Sequence, residues 1–161
     1  MASDHIRAFR PADRVALIAL LDGSEPWRTL GYTRRDWDLF FDTLERGAGR
    51  DTSVVERGRD VVGIAVLRRR FLLGDYLELL AVAPAARRGG VGAALLAHVE
   101  AQVFPQSRNL FVCVSDFNAE ARRFYERHGY REVGPLADLL VAGHAELLLR
   151  KTIGPARECR S

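Results

Sequence analysis

At 161 residues the chain fits one domain with one hydrophobic core, and its 48% apolar and 28% charged residues predict a folded protein rather than a disordered one. The formal net charge of +3 suits an anionic ligand but is too small to predict nucleic-acid binding. The apolar run around Leu77–Ala86 is interrupted by Glu78 and is too short to span a bilayer, so we expect no membrane partner.

The first third of the chain predicts one strand and two helices. His5–Phe9 alternates weakly between polar and apolar residues, as a strand does, and Pro11 then opens a helical pattern. The apolar stripe of this first helix comprises Val15, Ile18 and Leu21. After a loop over Gly23–Gly31, Thr33 and Asp36 resemble a capping box at the start of a second helix. Its apolar stripe comprises Trp37, Phe40, Phe41 and Leu44.

The pattern then changes to strands. Thr52–Glu56 and Val61–Leu67 are typical of two strands joined by a turn at Gly58-Arg59. Gly74-Asp75 predicts a second hairpin turn, leading into a strand over Tyr76–Val82. Three consecutive strands with tight turns indicate an antiparallel meander.

The remaining elements alternate between helix and strand. They are a loop over Pro84–Gly90, a helix over Val91–Val103, a strand over Asn109–Ser115, and closing strands over Tyr130–Val133 and Glu146–Lys151. Between them, Asn118 caps a helix that ends at Gly129, where a left-handed residue belongs. This order predicts an α/β fold: a mixed, mostly antiparallel sheet with helices on both faces.

The sharpest local feature is the run Arg87-Arg88-Gly89-Gly90-Val91-Gly92, between a predicted strand and a predicted helix. The first turn of a helix has backbone N–H groups without partners, and the helix dipole makes that end positive, so an anion binds there favourably. Glycines let the backbone approach the anion closely, and arginines add charge-assisted hydrogen bonds to phosphate. The run predicts a phosphate site, although a Gly-rich turn that merely begins a helix has the same sequence.

Two other kinds of phosphate loop match poorly. A Walker loop needs Gly-Lys-Ser/Thr, which this sequence lacks. A dinucleotide loop needs G-x-G-x-x-G in a tight turn, but Gly90 and Gly92 are followed by Leu95, and the loop from Val82 is long. Both alternatives are therefore weak.

The motif Arg87-x-x-Gly90-x-Gly92 resembles the cofactor signature of the GCN5-related N-acetyltransferase (GNAT) superfamily, Gln/Arg-x-x-Gly-x-Gly/Ala. Leu80–Pro84 is similar to the strand end that precedes this loop in the family. A second segment matches independently, with Asn118 followed by Phe124–Tyr130. The motifs cover about residues 60–135, and the predicted order of elements extends the resemblance over the whole chain. It implies a single GNAT-like domain.

The resemblance implies acetyl-coenzyme A (acetyl-CoA) as co-substrate, no metal, and acetyl transfer to an amine by direct attack in a ternary complex. Backbone groups of Leu80, Ala81 and Val82 would hold the pantetheine arm as if it were an additional strand. The pyrophosphate would be bound by the loop and the first helical turn. These residues are Arg87, Arg88, Gly89, Gly90, Val91, Gly92 and Ala93. Asn118 would reach the pantetheine or acetyl region.

Tyr125 is the predicted general acid, since the resemblance places it near the thioester sulfur. The departing thiolate needs a proton, and Tyr125 is the only residue of the second matched segment with a suitable O–H group. Its alternative role is that of a core aromatic residue on the inner stripe of the helix. Phe124, one residue earlier, is expected in the core.

The base is harder to predict. An ammonium group has no lone pair, so a base or a water chain must remove a proton before attack. We predict Glu78, because it interrupts an apolar strand and can point toward the ligand. Some relatives carry a catalytic glutamate where this chain has Cys113, which removes a carboxylate. Weaker candidates are Asp116, Glu146 and His144, and a water relay without a single base stays open.

The cysteines favour a reducing compartment. Cys113 and Cys159 show no metal-ligand spacing and no C-x-x-C motif, so we expect no disulfide framework and a cytoplasmic protein. A covalent acyl-enzyme at Cys113 is disfavoured, because a mid-strand thiol among apolar residues is usually buried and inert. No apolar stretch follows the charged first residues, so we expect no secretory signal. We predict a domain over residues 1–153 and a loose tail over residues 154–161.

We expect the acceptor to be a small-molecule or peptide amine, bound by the first third of the chain and the closing hairpin. Residues predicted to line that site are Trp27, Arg28, Tyr32 and Trp37, although the helical spacing of Trp37 favours the core. The sequence does not fix the oligomeric state, and a homodimer stays open. A non-catalytic acyl-CoA-binding module and a nucleotide-binding protein remain alternatives, and the presence of Tyr125 favours an enzyme.

Overall fold

The computed structural model describes residues 3–157, and its helices and strands follow one another in the predicted order. The strands are β1 (Asp4–Ala8), β2 (Arg50–Arg57), β3 (Asp60–Phe71), β4 (Gly74–Val82), β5 (Asn109–Ser115), β6 (Arg131–Ala137) and β7 (Ala145–Thr152). The α-helices are α1 (Arg14–Leu21), α2 (Arg34–Glu45), α3 (Val91–Val103) and α4 (Ala119–Arg127). Two 3₁₀ turns, Pro11–Asp13 and Pro84–Gly89, precede α1 and α3.

The strands of the described chain form a seven-stranded sheet in the order β1-β2-β3-β4-β5-β7-β6. The pairs β1–β2, β2–β3, β5–β7 and β6–β7 are antiparallel. β4 and β5 pair in parallel, with Tyr76 opposite Phe111, and α3 lies in the crossover connection that a parallel pair needs. The predicted α/β fold with a mixed, mostly antiparallel sheet is therefore confirmed.

The turn between β3 and β4 lies at Leu72-Leu73, so the predicted turn at Gly74-Asp75 is wrong. Both leucines have left-handed backbone, with φ of 44° and 58°, as the central residues of a type I′ hairpin turn do. Gly74 begins β4 instead, and an added Cβ there would lie 2.4 Å from the carbonyl oxygen of Asn109. Close packing against this backbone, rather than the turn, requires glycine at position 74.

The described chain forms two compact units. Unit 1 comprises the residues up to Arg68 together with Glu78–Val99, and unit 2 comprises Arg69–Leu77 together with the residues from Glu100 onward. The predicted domain over residues 1–153 is not tested by this division and stays a prediction.

Unit 1 has helices on both faces of its strands. α1 and α2 pack on one face, where the buried cluster comprises Leu17, Ile18, Leu21, Trp37, Phe41, Leu44, Val54, Ile64, Val66, Leu79 and Ala81. α3 covers the other face, because an added Cβ on Gly63 would lie 3.1 Å from the side chain of Leu95. Gly63 and Ile64 are neighbours in β3, and neighbouring residues of a strand point to opposite faces.

The apolar stripe of α1 differs from the predicted one. Val15 is 73% exposed, whereas Leu17, Ile18 and Leu21 are buried. Six residues at about 100° each place Val15 about 120° from Leu21 around the helix, beyond the edge of the buried stripe. The spacing therefore identified Ile18 and Leu21 correctly, included Val15 wrongly and missed Leu17.

The capping box of α2 is confirmed. The Thr33 hydroxyl accepts a hydrogen bond from the Asp36 N–H, and the Asp36 carboxylate accepts one from the Thr33 N–H at 2.7 Å. These bonds satisfy two backbone donors at the start of the helix. Trp37, Phe41 and Leu44 of that stripe are buried as predicted.

Unit 2 is organised around the β5–β7 pair. Leu110, Val112 and Val114 share one face of β5 and are buried. Beside that face, Glu100 accepts hydrogen bonds from the Tyr130 hydroxyl at 3.1 Å and from Lys151 Nζ at 2.9 Å. None of the helices within residues 3–157 has the length and apolar character needed to cross a membrane.

Candidate active site

The predicted phosphate loop connects β4 to α3 in unit 1. Gly90 follows the 3₁₀ turn in a left-handed conformation, with φ of 77°, and α3 begins at Val91. The Gly90 carbonyl oxygen accepts from the Ala94 N–H at 2.9 Å, which closes the first helical turn. The N–H groups of Val91–Ala93 precede that bond and have no partner within the helix. An added Cβ on Gly90 would meet no heavy atom within 4 Å, so the space beside this backbone is open to a ligand.

The loop is tied to the end of the strand before it. Arg87 Nε donates to the carbonyl oxygen of Val82 at 3.2 Å, and the Ala83 N–H donates to the Val62 carbonyl oxygen at 2.8 Å. Arg87 and Arg88 are both exposed, so their guanidinium groups are accessible to an anion. The predicted cofactor residues between positions 80 and 93 thus form one continuous strand–loop–helix segment, and their contacts with a cofactor stay predictions.

Glu78, the predicted base, forms a two-point ion pair with Arg50. Arg50 Nε donates to Glu78 Oε2 at 2.7 Å, and its NH2 group donates to Oε1 at 3.0 Å. Both side chains are mostly buried. The bond to Glu78 raises the pKa of Arg50, so the guanidinium stays charged. The role of Glu78 as base stays a prediction, and sequence reasoning missed Arg50 because no local signal links residues 28 positions apart.

Asn118 caps α4, as predicted. Its side-chain Oδ1 accepts from the Ala121 N–H at 3.2 Å, and its own N–H donates to the Ser115 carbonyl oxygen at 2.8 Å. Gly129 ends the helix region with a left-handed φ of 90°, again as predicted. The cap uses Oδ1, so the predicted contact with a cofactor falls to the amide nitrogen of Asn118.

Tyr125, the predicted general acid, lies on α4 in unit 2 and is 5% exposed. Its ring packs against Phe124 and Tyr130, with centroid distances of 5.1 and 5.3 Å. The structure gives its hydroxyl no hydrogen bond within residues 3–157. The only sealed side-chain nitrogen or oxygen without a partner in those residues is Trp37 Nε1, so the Tyr125 hydroxyl reaches accessible space. Burial raises the pKa of Tyr125 well above its ordinary value, which keeps the phenol protonated.

A buried polar pair lies where β5 and β7 meet. Ser115 and Glu146 are register partners, and the Ser115 hydroxyl donates to Glu146 Oε1 at 2.7 Å. Glu146 is 5% exposed, and burial raises the pKa of its carboxyl group. Sequence reasoning named Glu146 only as a weaker base and did not single out Ser115. The alternation of β5 could have shown that Ser115 shares a face with Cys113.

The surroundings of this pair include two of the other base candidates. The Asp116 carboxylate accepts from the Ala145 N–H at 2.8 Å and contacts His144 Nδ1 at 3.2 Å. The bond from Ala145 lowers the pKa of Asp116, so this carboxylate is held ionised. Burial raises the pKa of the Cys113 thiol, which fits the predicted inert role. Cys159 lies outside the described residues.

The aromatic residues predicted for the acceptor site cluster around α2. Trp37 is buried in the core and packs against Trp27 and Tyr32, with centroid distances of 5.4 and 5.2 Å. Arg28 is exposed and pairs with Glu25. The core alternative for Trp37 is confirmed, and an acceptor role for the other residues stays a prediction. Residues 3–157 contain no group of three or more His, Cys, Asp or Glu side chains arranged to hold a metal.

The fold is that of a mixed α/β protein in which an open glycine loop leads into the N-terminus of α3, an arrangement that suits an anionic ligand. The model of the Acetyltransferase (GNAT) family matches residues 13–130, most of the chain. The chain therefore belongs to the GNAT acetyltransferase family, and the resemblance inferred from the two motifs is confirmed.

Solved structures share the fold over nearly the whole chain. A GNAT-family protein from Desulfovibrio desulfuricans has a TM-score of 0.81 and 23% identity, covering 94% of this chain and 100% of that chain. An aminoglycoside 6′-N-acetyltransferase in complex with coenzyme A has a TM-score of 0.78 and 18% identity, covering 96% and 99%. The ribosomal-protein-S18-alanine N-acetyltransferase of Escherichia coli has a TM-score of 0.78 and 18% identity, covering 99% of both chains. No curated protein sequence matches significantly.

Proposed function

We propose that the protein is an N-acetyltransferase that moves an acetyl group from acetyl-CoA to a primary amine of a small molecule or a protein, by direct attack in a ternary complex. Membership of the GNAT acetyltransferase family supports acetyl transfer. The names of the aminoglycoside and ribosomal-protein enzymes support nitrogen as the acceptor atom. The observation that carries the proposal is the open, left-handed Gly90 directly before the first turn of α3.

The residues present fit a coenzyme A diphosphate. The N–H groups of Val91–Ala93 are available at the positive end of α3, and the open side of Gly90 leaves room for phosphate oxygens. Arg87 and Arg88 add exposed positive charge at the same loop. Backbone groups of Leu80–Val82 are proposed to hold the pantetheine arm, with the amide nitrogen of Asn118 as a further donor.

When bound, acetyl-CoA supplies an acetyl group activated as a thioester. Tyr125 is proposed to give its phenolic proton to the sulfur as the carbon–sulfur bond is exchanged for a carbon–nitrogen bond. Burial raises the pKa of Tyr125, so the phenol holds its proton at neutral pH but is also a weaker acid than an exposed tyrosine. A carboxylate is proposed to take the proton released by the amine, and Glu78 is the candidate predicted from the sequence. The cytoplasm remains the predicted site of action.

Calorimetric titration of the purified chain with coenzyme A, in competition with ATP, tests the proposed diphosphate site at the start of α3. We expect coenzyme A to bind and ATP to compete poorly. Tighter binding of ATP would contradict the proposal and favour a nucleotide-binding protein.

Thiol release from acetyl-CoA in the presence of tyramine, spermidine, kanamycin and an alanine-initiated hexapeptide tests the reaction. At least one of these amines should accelerate release above the rate without amine. Coenzyme A binding without acceleration by any of them would instead support a non-catalytic acyl-CoA-binding module.

A further inference from the structure

We propose that Glu146 is the catalytic base, and that its Oε2 takes a proton from the ammonium form of the acceptor amine while Ser115 holds Oε1. The inference rests on the proposed N-acetyltransferase function and names the proton acceptor within it. In this step a nitrogen–hydrogen bond of the ammonium breaks and an oxygen–hydrogen bond forms at Oε2. The amine keeps the electron pair for attack, and the carboxyl group later returns the proton to solvent.

The first support is the geometry of the carboxyl group. Glu146 lies opposite Ser115 in the β5–β7 register, and the hydrogen bond from the Ser115 hydroxyl, 2.7 Å long, occupies Oε1. The structure gives Oε2 no hydrogen bond within residues 3–157. In residues 3–157 the only side-chain nitrogen or oxygen that is both fully buried and without a hydrogen-bond partner is Trp37 Nε1. Oε2 is therefore not fully buried. Among residues 3–157, Oε2 thus has no hydrogen-bond partner, while the Ser115 bond fixes the other oxygen of the same carboxylate.

The second support is the comparison with Glu78. Both oxygens of Glu78 accept hydrogen bonds from the Arg50 guanidinium, at 2.7 and 3.0 Å. A proton added to Glu78 would remove the charge that makes these two bonds strong. Protonation of Glu146 leaves the Ser115 bond to Oε1 in place. Of the two carboxylates, Glu146 thus changes its protonation state with less disturbance to its surroundings.

The third support is the charge environment of Glu146. Burial and the nearby charge of Asp116 raise the pKa of its carboxyl group, while the Ser115 bond and His144 lower it, with burial the largest effect. Cys113, on the same face of β5, contributes a protonated thiol, and β6 places the apolar Leu136 opposite Glu146. A base works best when its pKa lies nearer the working pH than that of an ordinary carboxylate.

The principal experiment compares Glu146→Gln with Glu132→Gln, which makes the same chemical change on the neighbouring strand β6 in a half-exposed pair with Arg122. Thiol release is measured from pH 5.5 to 9.5 with the amine panel named above, and coenzyme A affinity is measured by calorimetry. We expect Glu146→Gln to lower kcat/KM by roughly 10²–10⁴-fold with unchanged coenzyme A affinity, whereas Glu132→Gln stays near the wild type. Glu78→Gln should still show the acid limb of the pH profile, which is the fall in kcat/KM toward low pH as the base becomes protonated.

Ser115→Ala tests the positioning role of Ser115 and does not depend on the folding of Glu146→Gln. Because the Ser115 bond lowers the pKa of Glu146, its loss should move the acid limb of the kcat/KM profile to higher pH. A purely structural role for Ser115 would lower stability without moving that limb. An unmoved limb would overturn the assignment.

A readout that needs no turnover is carbon-13 NMR of glutamate carboxyl groups. The resonance missing from Glu146→Gln should titrate in the wild type with a midpoint above the ordinary 4.5. A midpoint at or below that value would overturn the proposal. So would unchanged kcat/KM in Glu146→Gln with normal coenzyme A binding, and that result would leave the N-acetyltransferase function intact. Failure of the wild type to bind coenzyme A, or binding without transfer to any amine, would overturn the proposed function and this inference with it.

Discussion

Replacement of Tyr125 with phenylalanine separates the catalytic role of its hydroxyl from its packing role, and Tyr130 provides a matched control. Both rings are almost completely buried, at 5% and 1% exposed, and their centroids lie 5.3 Å apart. The Tyr130 hydroxyl donates to the Glu100 carboxylate at 3.1 Å, whereas the Tyr125 hydroxyl has no hydrogen bond within residues 3–157. The same atom is therefore removed from two neighbouring rings, one bonded and one not.

The structure predicts a loss of stability for Tyr130→Phe and almost none for Tyr125→Phe. A hydrogen bond to a charged group contributes about 1.5–3 kcal/mol, so Tyr130→Phe should lower the free energy of unfolding by about that amount. In a protein of this size 1 kcal/mol corresponds to about 2–4 °C, which predicts a fall in Tm of roughly 3–12 °C. Tyr125→Phe loses no such bond and should change the free energy of unfolding by less than about 0.5 kcal/mol.

The kinetic effects should be reversed. Loss of a general acid costs about 10²–10⁴-fold in rate, so Tyr125→Phe should lower kcat by that factor while coenzyme A affinity stays unchanged. Tyr130→Phe should keep kcat near the wild type below its Tm. Urea denaturation and thiol release from acetyl-CoA measure the two properties on the same preparations. Wild-type kcat in Tyr125→Phe would refute the assignment of the general acid, and a loss of stability equal to that of Tyr130→Phe would refute the unbonded hydroxyl.

Three further predictions concern the packing at Gly74, the proposed diphosphate site at Gly90 and the pH dependence of stability. Gly74→Ala should lower the free energy of unfolding, measured with urea, by about 2 kcal/mol, because its Cβ would lie 2.4 Å from the Asn109 carbonyl oxygen. Gly134→Ala is the control: its Cβ would meet no heavy atom within 4 Å, so it should be neutral or slightly stabilising, and equal effects of the two variants would contradict the prediction. Gly90→Glu should weaken coenzyme A binding at least about tenfold more than Gly90→Gln in calorimetry, because its carboxylate repels the diphosphate, and equal affinities would argue against a phosphate site. Burial raises the pKa of Glu146, so the unfolded chain releases this proton at lower pH than the native protein does. The wild type should therefore lose stability relative to Glu146→Gln as the pH rises above about 4.5. A constant difference in the free energy of unfolding, measured with urea from pH 4 to 8, would exclude this.

The sequence predicted best the features whose cause lies within a few residues. The capping box at Thr33 and Asp36, the cap at Asn118, and the left-handed Gly129 are all confirmed, and each depends on contacts no more than a single helical turn long. The strand–loop–helix segment from the end of β4 to the first turn of α3 was predicted for the same reason, because it is continuous in sequence, and its binding of phosphate stays a prediction.

The hairpin between β3 and β4 was mispredicted because its glycine serves a distant contact. Position 74 needs glycine because a side chain there would collide with the backbone of Asn109, and the sequence does not show that β5 approaches so closely. The turn falls on two leucines in left-handed conformation, which their residue type does not favour. The Asp75 carboxylate accepts from the Arg70 N–H at 3.0 Å and stabilises the strand ends around this turn.

The proposed base was the least predictable part of the candidate site, and the carboxylates of Asp116 and Glu146 show why. Asp116 accepts the N–H of Ala145, which lowers its pKa, while burial raises the pKa of Glu146 and the charge of Asp116 raises it further. The pKa values of the two carboxyl groups are thus moved apart, so that Asp116 stays ionised at a pH at which Glu146 still binds a proton. Which of them does which depends on the β5–β7 register, because the register decides which side chain meets the Ala145 N–H and which is buried beside Ser115. Residue types 30 positions apart do not contain that information.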